Sequence, residues 1–182
     1  MTETISMYEQ VMGAEFSTLD MAVQRFHRLA GCHELHGWVE TMAPRPGLAR
    51  LLALCLGAPR RASQGPIRFE LRAAPDCETW TRFFPTQVMR STLRRRGREI
   101  VESLGVVRLT FALAASEKRL EMQLLRLHFL ALRCPAWLAP RIVAEETGGG
   151  EQLQFHIEAA MPYVGVVASY RGHLVLPASA AS

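Results

Sequence analysis

Residues 67–72 read IRFELR and residues 106–114 read VVRLTFALA. In the first stretch Ile67, Phe69 and Leu71 alternate with Arg68, Glu70 and Arg72. In the second, Val107, Leu109, Phe111 and Leu113 alternate with Arg108, Thr110 and Ala112. A period of two is that of a strand with one apolar and one wet face. LQFHIEA (153–159) repeats the pattern, with Leu153, Phe155, Ile157 and Ala159 on one side. Working outward, His33–Thr41, CETWTRFF (77–84), TQVMRSTLRRR (86–96), Arg98–Leu104, Arg141–Thr147 and VGVVASYRGHLVL (164–176) bring the total to about nine strands. In RLEMQLLRLHFLAL (119–132) apolar residues occupy both faces toward the end. That predicts a bend, a bulge or burial on both sides.

The connections are short: Pro75-Asp76, Gly97, Gly105, Ser116–Lys118 and GGG at 148–150. Short turns between successive strands make antiparallel neighbours. Ahead of the strands the period is helical. Ile5, Tyr8 and Met12 are spaced for one helix face, and Leu19, Ala22, Val23, Phe26 and Leu29 for another. Ser17 or Thr18 is placed to cap the second helix. Nine antiparallel strands with one apolar face must curl, close or be covered. The expected fold is α+β: a strongly curved antiparallel sheet or partly closed β-barrel, capped by N-terminal helices. It is expected as one domain over residues 1–177 with a disordered tail at 178–182. Periodicity does not set whether the interior is filled or hollow.

Composition narrows the functional classes. The 182 residues carry a formal charge of +4, with Lys118 the only lysine. Spread over a whole domain, that is a weak footprint for nucleic acid. RRRGR (94–98) has no interleaved aromatics and reads as a solvated hairpin tip. Cys32, Cys55, Cys77 and Cys134 form no Cys-x-x-Cys pair, so neither a zinc cage nor a redox motif is expected. Scattered cysteines behind an acidic, polar N-terminus predict free buried thiols in the cytoplasm. LARLLALCLG (48–57) is half the length of a bilayer span. It reads as a short core-packing helix, or as a segment lying in a groove or on a membrane surface.

Several pieces resemble a bacterial family of unknown function. They are RFH (25–27), IRFEL, the Trp80–Phe83 stretch, Arg90-Ser91, Glu102–Gly105, CPAWLAPR (134–141), FHIE (155–158), MPYVG (161–165) and YRG (170–172). The chain departs from the family pattern at Phe84-Pro85, Val106 and His173. The resemblance implies a module that stands alone or is fused behind saccharopine-dehydrogenase-like reductases. It therefore implies that the module can work beside a reductase or biosynthetic partner enzyme, and it supplies no activity.

CHELHGWVE (32–40) half-spells a zinc motif. In the metalloprotease pattern the histidines stand four apart on a helix. Here they stand three apart in a strand, which sends His33 and His36 to opposite faces. Glu34, His36 and Trp38 share a face. Either they line a pocket, with Glu34 and His36 as an acid/base pair and Trp38 as a wall, or they meet solvent while Leu35 and Val39 face the core. Trp80 and Arg82 share a face with Glu78 and can clamp an anion or form a structural cation–π pair. Tyr170 lies with Val166, Ala168 and Leu174. Arg126 and His128 lie with Leu124 and Leu130. Tyr170, Arg126 and His128 are therefore candidate polar points inside an apolar cavity, which a buried charge or hydroxyl must share with a partner.

The expected function is binding of a hydrophobic small molecule (lipid, isoprenoid or polyketide-like) as a carrier or binding module. The alternative is a cofactor-free cyclase or isomerase using Tyr170, His128, His36 or Glu34, with Trp38, Trp80, Arg82 and Arg126 holding the substrate. No cofactor, metal, nucleic acid or transmembrane segment is expected.

Overall fold

The computed structural model describes residues 5–45 and 47–178; the last residues of the expected tail, 179–182, lie outside that range. Two short helices, α1 (Met7–Met12) and α2 (Met21–His27), flank a 3-10 turn at Gly13–Thr18. Strand β1 (Gly31–Met42) leads to α3 (Leu48–Leu56). Then come β2 (Ser63–Ala74), β3 (Cys77–Phe83), β4 (Val88–Arg96), β5 (Glu99–Leu104), β6 (Val107–Ser116), β7 (Arg119–Phe129), β8 (Leu132–Arg133), β9 (Arg141–Gly149), β10 (Gln152–Met161) and β11 (Gly165–Val175).

The hydrogen-bonded order is β6-β5-β4-β3-β2-β1-β11-β10-β9-β7, and β6 also pairs with β7. The two edges are thereby joined. Ten antiparallel strands close a barrel, where about nine in a partly closed sheet were expected, and β8 lies outside it on β7. The long segment 119–132 supplies that outside strand. It turns at Leu130 (φ 50°) and Ala131 (φ 66°), so its end folds back as β8. It also carries the expected irregularity: Thr110 faces Arg126 but Phe111 faces Leu124, leaving Leu125 as a bulge.

Closure is uneven. β6 and β7 pair over their whole length. β7 and β9 pair only at Leu120–Glu146 and Glu121–Glu145. Beyond those rungs no ladder pairing joins the two strands, and a second 3-10 turn, Ala136–Leu138, lies in the connection from β8 to β9.

The two ends of the barrel differ. At one end α1 and α2 form a plug. Ser6 and Glu9 make a capping box on α1, which leaves Ile5 outside the helix and exposed. Asp20, not Ser17 or Thr18, caps α2 by accepting from the Ala22 N–H at 2.9 Å. The two hydroxyls are already committed to Ala14 O and Glu15 O. The plug is tied to the adjacent turns: the Asp20 N–H donates to Lys118 O at 2.8 Å, and Gln10 Nε2 donates to Pro75 O at 3.1 Å. Tyr8, Phe16, Phe26 and His27 are buried beneath it. Phe26 packs edge-on against Phe69 and Trp80, at centroid distances of 5.8 and 5.9 Å.

At the other end α3 lies across the opening, anchored by the buried Ala49 and Ala53. The Gln87 side-chain amide donates to Gly57 O, and Gly105 comes so close that a Cβ there would stand 2.8 Å from Cys55 O. LARLLALCLG forms a short helix of which one face packs, while Leu48, Leu51 and Leu54 stay exposed. The thiols are free but not buried; Cys32 is exposed and the other three are half-buried.

Candidate functional site: a hollow between the plug and α3

The barrel is filled at the plug end and hollow at the α3 end. An apolar cavity of about 410 Å3 lies along the stretches of β7 and β9 that share no ladder pairing, with Leu52, Leu56, Leu109, Phe129, Leu138 and Ile142 among its walls. Its volume lies within the ~300–1,000 Å3 usual for small-molecule sites. A smaller hollow of about 90 Å3 lies deeper. The two share Leu56, Leu109, Ile142 and Ala159 in their walls. Trp80, Arg82, Glu102, Glu146 and Tyr170 give the deeper hollow a polar floor.

Each floor residue sits on the inward parity of its strand. On β3, Glu78, Trp80 and Arg82 alternate with half-buried outward residues. Arg82 Nη1 donates to Ser91 Oγ at 3.1 Å, and Nη2 stands 3.8 Å from Glu102 Oε1. Its guanidinium lies 4.9 Å from the Trp80 ring and 5.8 Å from that of Phe69. The Trp80–Arg82 pair is a cation–π stack, and both residues line the deeper hollow. A guanidinium held by a ring and a carboxylate suits a bound carboxylate or other anionic head. Tyr170 packs its ring against Phe84 and Phe155. Burial raises its phenol above the usual range, against the pull of the Arg82 charge, and Glu102 and Glu146 add to the rise.

Behind the floor lies a second polar layer. Glu146 Oε2 is 2.6 Å from His27 Nε2, with both side chains out of solvent. Tyr8 stacks on His27 at 3.6 Å. Tyr8 Oη and His27 Nδ1 are buried with no hydrogen-bond partner among the described residues. Burial raises the Tyr8 phenol well above its usual value. Glu78 accepts from Trp80 Nε1 at 2.7 Å. Burial holds the Glu78 carboxyl above the ordinary range, against the pull of His27 and the Trp80 hydrogen bond, and Glu146 adds to the rise.

The shift at Glu78 has a testable sign. The folded state holds this proton more tightly than the unfolded chain does, so its contribution is complete below the unfolded pKa, about 4.3. As pH rises past that value the unfolded chain deprotonates first, and stability falls until the folded pKa is crossed. Glu78→Gln keeps an acceptor for Trp80 and cannot titrate. Urea unfolding from pH 4 upward is expected to show the wild type losing stability relative to the variant. Parallel curves for the two proteins would remove Glu78 as the source.

The remaining sequence candidates lie elsewhere. Glu34, His36 and Trp38 point outward from β1, while Leu35 and Val39 point in. Glu34 is bridged by His36 at 3.0 Å and Arg68 at 3.2 Å in an exposed network. Trp38 lines a polar groove on the outer wall with Glu40, Arg171 and His173. The groove follows a crease where β1 and β11 approach closely. A Cβ on Gly37 would stand 1.8 Å from His173 O, and one on Gly172 would stand 2.1 Å from Trp38 O. Arg126 and His128 also face outward, because the bulge at Leu125 resets the alternation. Leu127 and Phe129 take the inward places, and Arg126 pairs with Glu99 on the outer wall. The structure therefore brings Tyr170, Trp80 and Arg82 together and separates them from Glu34, His36, Trp38, Arg126 and His128.

Sequence reasoning missed His27, Glu102 and Glu146 as site residues. Each carried a signal: Glu102 shares parity with Ile100 and Leu104, Glu146 with Ile142 and Ala144, and His27 helical spacing with Val23. A charged or polar residue on an apolar parity marks an interior site. Among the described residues no group of three or more potential metal ligands is assembled, and no helix is long and apolar enough to cross a membrane.

A closed antiparallel barrel, hollow at one end and floored with paired polar groups, defines a class of scaffold able to enclose a small ligand. Residues 19–174 match the family described as "Domain of unknown function (DUF4166)", and the chain belongs to that family. Among solved structures it is similar to the one titled "Crystal Structure of Rv2717c from M. tuberculosis". The two share 11% identity over 87% of this chain and 99% of that chain, with a TM-score of 0.49. No curated protein matches the chain.

Proposed function

We propose that the protein binds a hydrophobic small molecule (a lipid, isoprenoid or polyketide-like chain) in the barrel cavity, as a carrier or binding module. The observation that carries this reading is the continuity of wall residues from an apolar mouth to a floor bearing Arg82 and Tyr170. An apolar tail in the outer cavity and a polar or anionic head at the floor would satisfy both chemistries. Native mass spectrometry of freshly purified protein is expected to show a co-purifying apolar molecule, and an added long-chain carboxylic acid should bind. In Arg82→Met the charge is lost while the stem is kept, so affinity for the acid should fall ~10-fold or more while that for the matching alcohol changes little. No binding of either compound by wild-type protein would sink the proposal.

A second reading rests on the same floor. Glu146 faces the deep hollow with His27 behind it, and Tyr170 stands on the same wall set. A carboxylate oriented by an imidazole, beside a phenol, is suited to moving one proton on an enclosed apolar substrate. That is the cyclase or isomerase alternative, with Glu146 in place of Glu34 and His36. Tyr170→Phe separates the two: a carrier keeps its affinity, whereas an enzyme keeps binding and loses turnover. A reductase or biosynthetic partner enzyme belongs to either reading.

A further inference from the structure

We propose that the α3 end of the barrel is a docking surface for an anionic lipid bilayer. This goes beyond the cavity reading, because it stands on the distribution of charge and apolar side chains over the outside of the molecule. The segments that build this end are 41–69, 79–93, 103–112, 122–144 and 159–169, and none contains an aspartate or glutamate. They do contain Arg45, Arg50, Arg60, Arg61, Arg133 and Arg141, all exposed. The acidic residues Glu9, Glu15, Asp76, Glu117 and Glu151 lie on the plug and the turns beside it. Arg94, Arg96, Arg98 and Lys118 stand at that end as well, so the modest net charge averages a basic end without carboxylates and an end of mixed charge.

The basic end also carries projecting apolar side chains. Leu48, Leu51 and Leu54 form the outer face of α3 and are 54–57% exposed. Leu130 at 61%, Leu132 at 75% and Trp137 at 70% project from the segment that crosses the mouth. Tyr163, at the β10–β11 turn, is 97% exposed. Leu130, Ala131 and Tyr163 have φ between 50° and 66°, a left-handed conformation that costs side-chain-bearing residues strain. The backbone tolerates that strain at turns whose side chains touch solvent. A leucine face next to arginines, with Trp and Tyr at the rim, is the pattern of a protein surface that enters the headgroup layer.

The charge selects the occupant. A second copy of the chain meeting this face would oppose two sets of arginines. An anionic bilayer attracts every arginine near its surface, roughly fivefold in affinity for each. The mouth of the 410 Å3 cavity opens in the same face, between Leu52, Leu132 and Leu138. Docking would bring that mouth against the acyl region, where an apolar ligand can pass without crossing water.

The test is flotation of the full chain with vesicles of phosphatidylcholine alone or with phosphatidylglycerol added. Binding is expected on the mixed vesicles at ~0.1 M salt, weakened at ~0.5 M salt as the surface field is screened. Pure phosphatidylcholine should bind at least ~10-fold more weakly. The double variant Leu51→Glu with Leu54→Glu, and separately Arg50→Glu with Arg133→Glu, should each lose ~10-fold or more. Val175→Glu, an exposed apolar position at the opposite end, should bind like wild type. All the altered side chains are solvent-exposed, so thermal midpoints should hold. Apolar-ligand binding in solution, read separately, reports on the cavity independently of the vesicles. Absence of flotation overturns the proposal. So does flotation indifferent to the glutamate variants, or a dimer without flotation that the same variants dissociate.

Discussion

Ala159→Trp is expected to abolish uptake of an apolar ligand while leaving the protein folded. Ala159 lies on β10 in the walls shared by the outer and deep hollows. An indole there fills the passage between mouth and floor. Each ~100 Å2 of ligand surface excluded from the cavity forfeits ~2.5 kcal/mol, roughly a 60-fold loss of affinity. The new ring enters space that protein atoms do not occupy, so the overpacking cost of ~1–3 kcal/mol seen in filled cores is an upper bound. Ser103→Trp is the control: it adds the same ring on the outer wall, where Ser103 is exposed and paired with Arg108. The measurement is displacement of a fluorescent fatty acid, alongside thermal unfolding. Undiminished binding by a folded Ala159→Trp protein would show that the ligand sits elsewhere, with the outer groove beside Trp38 the next place to look.

The sequence alone carried a large part of this architecture, for a physical reason. Alternation in IRFELR, VVRLTFALA and LQFHIEA reports which side chains leave water, and the facing of Phe69, Leu109 and Ile157 follows from it. It also placed Trp80 and Arg82 on one face and Tyr170 inward. Closure was less legible. It depends on β7 pairing with both β6 and β9, and the two β7–β9 rungs leave no local pattern. Parity failed where the backbone departs from a ladder. One extra residue at Leu125 moved Arg126 and His128 to the outer wall. CHELHGWVE lies outside the cavity for the opposite reason: its ladder is regular, and Leu35 and Val39 take the interior. The hollow itself is unreadable from pattern, because it lies along stretches of β7 and β9 that share no ladder pairing.

The second large effect is expected at His27 and Glu146, which stand 119 residues apart in sequence and 2.6 Å apart in space. This contact links the plug helix α2 to the barrel wall on β9. Their side chains are 0% and 9% exposed, so truncating either leaves a buried polar group without its partner. Breaking such a pair costs ~3–5 kcal/mol, against a total stability of ~5–15 kcal/mol for a domain. His27→Ala and Glu146→Ala should each lower the thermal midpoint by roughly 6–20 °C for a chain of this size. The double variant should cost less than the sum of the two, because the second truncation removes a group the first had already stranded. Glu146→Gln keeps an acceptor for the imidazole and should fall between wild type and Glu146→Ala. The tyrosine stacked on His27 supplies an independent check, since Tyr8 loses its stacking partner in His27→Ala but not in Glu146→Ala. If the single variants cost less than ~1 kcal/mol, or the cycle returns simple additivity, the pair is not what holds the plug in the barrel. A plug secured by such a pair leaves α3, with its exposed leucines, as the end of the barrel free to admit a ligand.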